Sequence, residues 1–204
     1  MTLRAVIFDF GGVLMRTQDP APRRNLAQRL GVSLEALVHW VFESESARLA
    51  TLGQISTWQH WENVRLALGL PPDRFAEATS AFWGGDALDR DLMAYLRSLR
   101  PRYRTALLSN AWDDLHTALR HEWNIEDAFD EVIISAEVGL AKPDPRIYQL
   151  ALMRLDVRPD QAVFVDDFME NVLAARSVGM QAVHFRDPTQ VKAELAQILD
   201  SQQP

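Results

Sequence analysis

Apolar and polar positions along the chain repeat with two different periods, and these divide it into three stretches. Near the N-terminus, Arg4 to Phe8 is a short apolar run rich in β-branched residues, which predicts a buried strand. From Arg16 to Pro22 the chain turns polar and carries prolines, which reads as a linker. Helical spacing then takes over. Pro22 to Leu30 predicts one helix, stopped by Gly31, and Ser33 opens a second with Leu34, Leu37, Val38, Val41 and Phe42 on one face. Ser56 and Gln59 stand at capping-box spacing before Trp58, Trp61, Val64 and Leu68, and Gly69 closes that helix. Pro71-Pro72-Asp73 opens a fourth helix with Phe75 and Ala78. No strand is expected between Arg16 and Phe82. Trp40, Phe42, Trp58, Trp61 and Phe75 are expected to form the core of this helical bundle, because apolar residues at helical spacing normally pack inward.

Beyond a second linker, Trp83-Gly84-Gly85-Asp86, strands and helices alternate. Asp89 caps a helix carrying Leu92, Met93, Tyr95, Leu96 and Leu99. Strands are predicted at Thr105–Leu108, Val132–Ile134, Ala162–Val165 and Gln181–Phe185. Helices are predicted at Ala111–His121, from Asp144-Pro145 through Leu155, at Glu170–Val178 and at Val191–Leu199. Such alternation implies an α/β fold with a parallel sheet covered on both faces. The expected division is a core domain of residues 1–15 and 86–204, with a helical insert over residues 16–85.

Composition narrows the function classes. The chain has 204 residues, 48% apolar and 24% charged, an ordinary globular balance. A formal net charge of -7 argues against a general nucleic-acid binder. No apolar run reaches the ~18 residues of a membrane span, so no membrane partner is expected. With no cysteine, disulfides, thiolate nucleophiles and cysteine zinc sites are excluded, which fits a cytoplasmic location. The five histidines show no metal-binding spacing.

Polar residues recur just past the predicted strands. Asp9 follows the first strand and precedes Gly11-Gly12. Ser109-Asn110 follows the second strand, Lys142 lies in the loop after the third, and Asp166-Asp167 follows the fourth. In an open parallel sheet the carboxyl ends of the strands are where ligands bind. Carboxylates with water suit Mg²⁺, which takes hard oxygen ligands, while Lys142 and Ser109 suit an anionic group such as phosphate. Arg16, Thr17, Trp112 and Asp113 are secondary candidates for substrate contact, and Asn171 is read as a structural tie for the loop after Asp167.

This constellation resembles the haloacid dehalogenase-like (HAD) hydrolase superfamily, in its phosphatase branch with a helical cap inserted after the first strand. The likeness rests on Phe8-Asp9-Phe10-Gly11-Gly12-Val13-Leu14, Leu108-Ser109-Asn110, Ala141-Lys142-Pro143-Asp144-Pro145-Arg146-Ile147-Tyr148, and Phe164-Val165-Asp166-Asp167 with Asn171, in that order along nearly the whole chain. The resemblance implies a Rossmann-like sheet of order 5-4-1-2-3. It also implies hydrolysis of a small phosphorylated metabolite through an aspartyl-phosphate on Asp9. Lys142 would assist catalysis and bind phosphate together with Ser109 and Asn110. Mg²⁺ would be held by Asp9, Asp166, Asp167 and the Gly11 carbonyl.

One position departs from that pattern. Related phosphatases usually carry a second Asp two residues after the nucleophile, as general acid and base, and here that residue is Gly11. General acid–base catalysis is typically worth ~10²–10⁴-fold, so its loss should favour esters whose leaving group needs little protonation. The glycine subgroup resembles sugar-1-phosphate phosphatases. Two alternatives stay open: a non-catalytic phospholigand- or partner-binding protein, and a dehalogenase-like hydrolase with an Asp nucleophile. Metal-independent dehalogenases lack an acidic motif after the fourth strand, so Asp166-Asp167 favours the phosphatase.

Overall fold

The computed structural model describes residues 2–200. Its centre is a five-stranded parallel sheet. The strands are β1 (Ala5–Phe8), β4 (Arg104–Ser109), β5 (Glu131–Ile134), β6 (Ala162–Asp166) and β7 (Gln181–His184). They lie in the order β5-β4-β1-β6-β7, which is 5-4-1-2-3 from one edge when these five are counted along the chain. β1 is central and wholly buried, which is why it reads as a continuous apolar run. Its side chains alternate between the two faces of the sheet. Val6 and Phe8 join the cluster containing Leu92, Leu96 and Leu195, whereas Ala5 and Ile7 join the one containing Ile147, Tyr148 and Val172.

The two linkers expected to be irregular instead pair with each other. β2 (Met15–Thr17) and β3 (Asp86–Leu88) form an antiparallel ribbon, so the expectation of no strand after Arg16 fails at Arg16 and Thr17. Ion pairs Arg16–Asp89 and Arg23–Asp86, each 2.5 Å, stitch the ribbon and its surroundings together. These pairs join residues more than sixty positions apart, so local sequence carries no sign of them.

Between β2 and β3 lies a block of helices with its own hydrophobic cluster of Leu26, Ala27, Leu37, Val41, Val64, Leu70, Ala78 and Phe82. The predicted caps form. Ser33 accepts from Ala36, and Ser56 and Gln59 close a capping box. The helix begun by Ser33 changes into a π-helical turn at His39–Glu43, and Ser44 then caps a further helix, Glu45–Thr51, that the spacing had not revealed. The expected aromatic core is corrected here. Trp58 is 71% exposed, Phe42 44% and Trp40 39%, while Trp61 and Phe75 are half-buried. Aliphatic side chains and Phe82 fill the block's interior, and most of its large rings are left toward the surface. Among the described residues, no helix is long and apolar enough to cross a membrane.

A candidate active site at the strand tips

Asp9 leaves the tip of β1, its N–H donating to the Val165 carbonyl of neighbouring β6. The chain then coils back on itself, with the N–H groups of Val13, Leu14 and Met15 all donating to the Phe10 carbonyl. Gly12 is required in this loop. Its φ is +80°, and a Cβ there would collide with the Asp167 carboxylate. Gly11 is different, because it is exposed and a Cβ at that position would meet nothing within 4 Å.

The predicted residues converge. Oxygens of Asp9, Asp166 and Asp167 lie within 4.8 Å of one another. Lys142 is buried, and its Nζ bridges Asp9 Oδ1 at 2.8 Å and Asp166 Oδ2 at 2.7 Å. Asp166 is held hard: Oδ1 accepts from Phe168 N–H at 2.8 Å, and the Asn171 amide donates to both carboxylate oxygens at 3.0 and 3.1 Å. Asn171 therefore ties down a site carboxylate directly, which is more than the loop tie expected of it. Tyr148 in turn donates to the Asn171 carbonyl at 3.0 Å. Burial pushes the Asp9 carboxyl up to about 7, opposed by Lys142 and reinforced by the Asp166 charge. Burial and Asp166 also raise Asp167.

Ser109 ends β4, buried beside the cluster. The side chain of Asn110 is committed elsewhere than to a ligand. Its amide N–H donates to the Lys142 carbonyl and its oxygen accepts the Lys142 N–H, both at 2.8 Å, so it positions the lysine. Of the secondary candidates, Asp113 receives the Thr57 N–H at 3.0 Å and hydroxyl at 2.5 Å and so docks the helical block. Arg16 and Thr17 are used by the ribbon. Those contacts span long sequence separations, and their partners carry no local motif. One residue the sequence reading missed is His184, whose Nε2 donates to the Asp167 carbonyl at 2.9 Å and steadies the second acidic position.

A hard cation fits this cradle. Asp167 Oδ1 is buried without a hydrogen-bond partner among the described residues, which is costly unless something electropositive meets it. The donor set is all oxygen, as Mg²⁺ prefers.

The parallel sheet thus carries an acidic cluster and a buried lysine together at its strand tips. The family model for haloacid dehalogenase-like hydrolases matches residues 3–179, and the chain belongs to that family. It is 29% identical over 202 residues to a sesquiterpene phosphatase of Aspergillus oryzae, covering 97% of each chain. It is 27% identical over 223 residues to bifunctional epoxide hydrolase 2 of Rattus norvegicus, matching 100% of this chain but only 40% of that longer protein. In fold it superposes with TM-score 0.76 on a HAD family enzyme of Bacteroides thetaiotaomicron solved with magnesium and inorganic phosphate, at 20% identity, covering 93% of this chain and 98% of that one.

Proposed function

We propose that the chain is a Mg²⁺-dependent phosphohydrolase of a small phosphorylated substrate, with Asp9 as the nucleophile. The observation that carries this reading is the meeting of three carboxylates, one with an unpartnered buried oxygen, around a buried lysine. Asp9, Asp166, Asp167 and the Gly11 carbonyl would hold Mg²⁺, which when bound neutralises charge on the transferring phosphoryl group. Lys142 and Ser109 stabilise the phosphoryl oxygens. An Asp9 oxygen attacks phosphorus as the ester P–O bond breaks, leaving an aspartyl-phosphate. Water then attacks that phosphorus and the bond to Asp9 breaks, returning free carboxylate and phosphate. The likeness to a named phosphatase over nearly its whole length supports phosphate chemistry over dehalogenation. The helical block between β2 and β3 is read as a cap that closes over the site.

No side chain at position 11 can protonate the leaving oxygen, so the departing group takes its proton from water. That missing acid is also what favours the second reading, a phospholigand-binding protein without turnover. Phosphate release from acetyl phosphate with Mg²⁺ decides between them. Asp9→Asn should cut release by on the order of 10⁴-fold or more while the fold survives. Release unaffected by Asp9→Asn or by chelation would remove the nucleophile and metal assignments together.

A further inference from the structure

A partly exposed apolar surface, linked to the site through Trp112, is built from residues far apart in sequence. Trp112 stands two residues beyond Asn110, within about 7 Å along the chain, and Asn110 grips the backbone of Lys142. The Trp112 ring leaves the sheet side and packs among the rings of the helical block. Phe42 stacks on it at 6.3 Å, Trp61 and Trp83 meet it edge-on at 5.9 and 6.3 Å, and His60 lies 4.5 Å away. The π-helical turn at His39–Glu43 carries Phe42. This is not a sealed core, because Phe42 is 44% and Trp83 38% exposed. Large rings left open to solvent mark a surface that binds apolar groups.

Behind these rings, Trp61 and Phe82 line a cavity of about 10 Å³ with Leu26, Leu37, Val64 and Phe75, room for no more than a water, so the open rings and not the block's interior offer the apolar surface. Polar side chains against this wall are already spoken for. Arg23 lies 4.4 Å over Phe82 and is paired with Asp86 at 2.5 Å. His60 is bonded to Ser46 at 2.9 Å and to the Val41 carbonyl at 3.0 Å. The wall thus presents ring faces, and its neighbouring cation and imidazole are engaged within the protein.

Resting on the phosphohydrolase reading, we infer that the part of the substrate beyond the phosphate is a hydrocarbon chain, bound against the open rings of Phe42 and Trp83 and against Trp112. A sugar, which needs hydrogen-bond partners for its hydroxyls, matches this wall poorly.

Calorimetry with ethyl-, butyl-, hexyl- and octylphosphonate in the presence of Mg²⁺ reads the chain directly, independent of turnover. Affinity should rise about three- to fourfold per added methylene until the wall is covered. Phe42→Ala, at a half-exposed ring, and Trp112→Ala should each flatten that slope. A slope of zero in the unaltered protein overturns the inference, as does a steep slope that neither variant changes. Acetyl phosphate hydrolysis, measured in parallel, separates the two claims. Release of phosphate with a flat chain-length slope leaves the phosphohydrolase standing and the apolar wall refuted. A steep slope without hydrolysis of any phosphate does the reverse.

Discussion

The strand tips and the helical block are built on opposite principles. The strand-tip side is charged, buried and almost fully hydrogen-bonded, with Lys142 and Asn171 clamping carboxylates into place and Asn110 holding the backbone of Lys142. The helical side is apolar, with a largely aliphatic interior and partly exposed rings that meet one another at its surface. Chemistry demands fixed geometry and low dielectric, so its residues are over-determined by their neighbours. Choice of the chain attached to phosphate demands only area and shape, so that side can be assembled from adaptable rings. In an enzyme without an acid at Gly11, the second side matters more than usual, because binding energy from the non-reacting part of a substrate can be used to lower the barrier at the reacting one.

The contrast is sharpest at Lys142. Lys142→Met leaves two buried carboxylates facing each other without a cation. Metal-free unfolding in denaturant should show a loss of about 3–5 kcal/mol, and phosphate release should fall by roughly 10²–10³-fold. Added Mg²⁺ should restore part of the stability. A variant as stable as the parent without metal would mean that the lysine is dispensable to the carboxylates.

Gly11→Asp tests the missing acid. The position has space for a side chain and no left-handed backbone to strain it. Turnover on alkyl phosphates should rise by up to ~10²-fold, with less effect on acetyl phosphate. Equal gains on both substrates would show that leaving-group protonation is not what the glycine withholds.

Proton linkage at Asp9 gives a third measurement. With its folded carboxyl raised from 3.8 to about 7, the folded metal-free protein binds a proton that the unfolded chain has released. Its contribution to metal-free stability is present at low pH and is lost as pH rises toward 7. Mg²⁺ binding must displace that proton, so Mg²⁺ affinity should fall up to ~tenfold for each pH unit below 7. Titrations at several pH values that give one constant affinity would contradict the raised carboxyl.

The smallest effect lies where the two sides meet. Thr57→Val removes the hydroxyl hydrogen bonds to Asp113 and Asp114 that help dock the helical block, leaving the Thr57 N–H bonded to Asp113. It should cost about 1 kcal/mol and speed hydrogen exchange in Glu45–Thr51 and Thr57–Ala67 relative to β1. Unchanged exchange there would mean that the Thr57 hydroxyl contributes nothing to docking the block.

How legible these regions were in the sequence follows from their construction. Asp9 and Asp166 sit at strand tips, so a polar residue after an apolar run located both without any contact being known, whereas Lys142 lies in the loop beyond Ser135–Val138 and was marked by the likeness of its Lys142-Pro143-Asp144-Pro145 stretch to a known family. Ser56 and Gln59 announced their helix because a capping box is a local device. Trp58 and Phe42 misled, since helical spacing marks a ring as lying on an apolar stripe and cannot say whether another element covers it. Asn110 was visible as a site residue, but its grip on Lys142 was not, because that contact crosses thirty-two positions.

What the chain determined by itself was therefore the five strands of the parallel sheet and the carboxylates at the tips of β1 and β6, because these depend on propensity and periodicity, which act over a few residues. The order of those strands was legible only through the likeness to a known family. Tertiary structure alone decided that the two linkers zip into a ribbon, that Gly11 faces open space while Gly12 has none, and that Trp112 crosses to the helical block and leaves Phe42 and Trp83 open beside it. Each of those outcomes is set by which distant surfaces meet, and the free energy of such a meeting is shared between residues that carry no trace of one another in sequence.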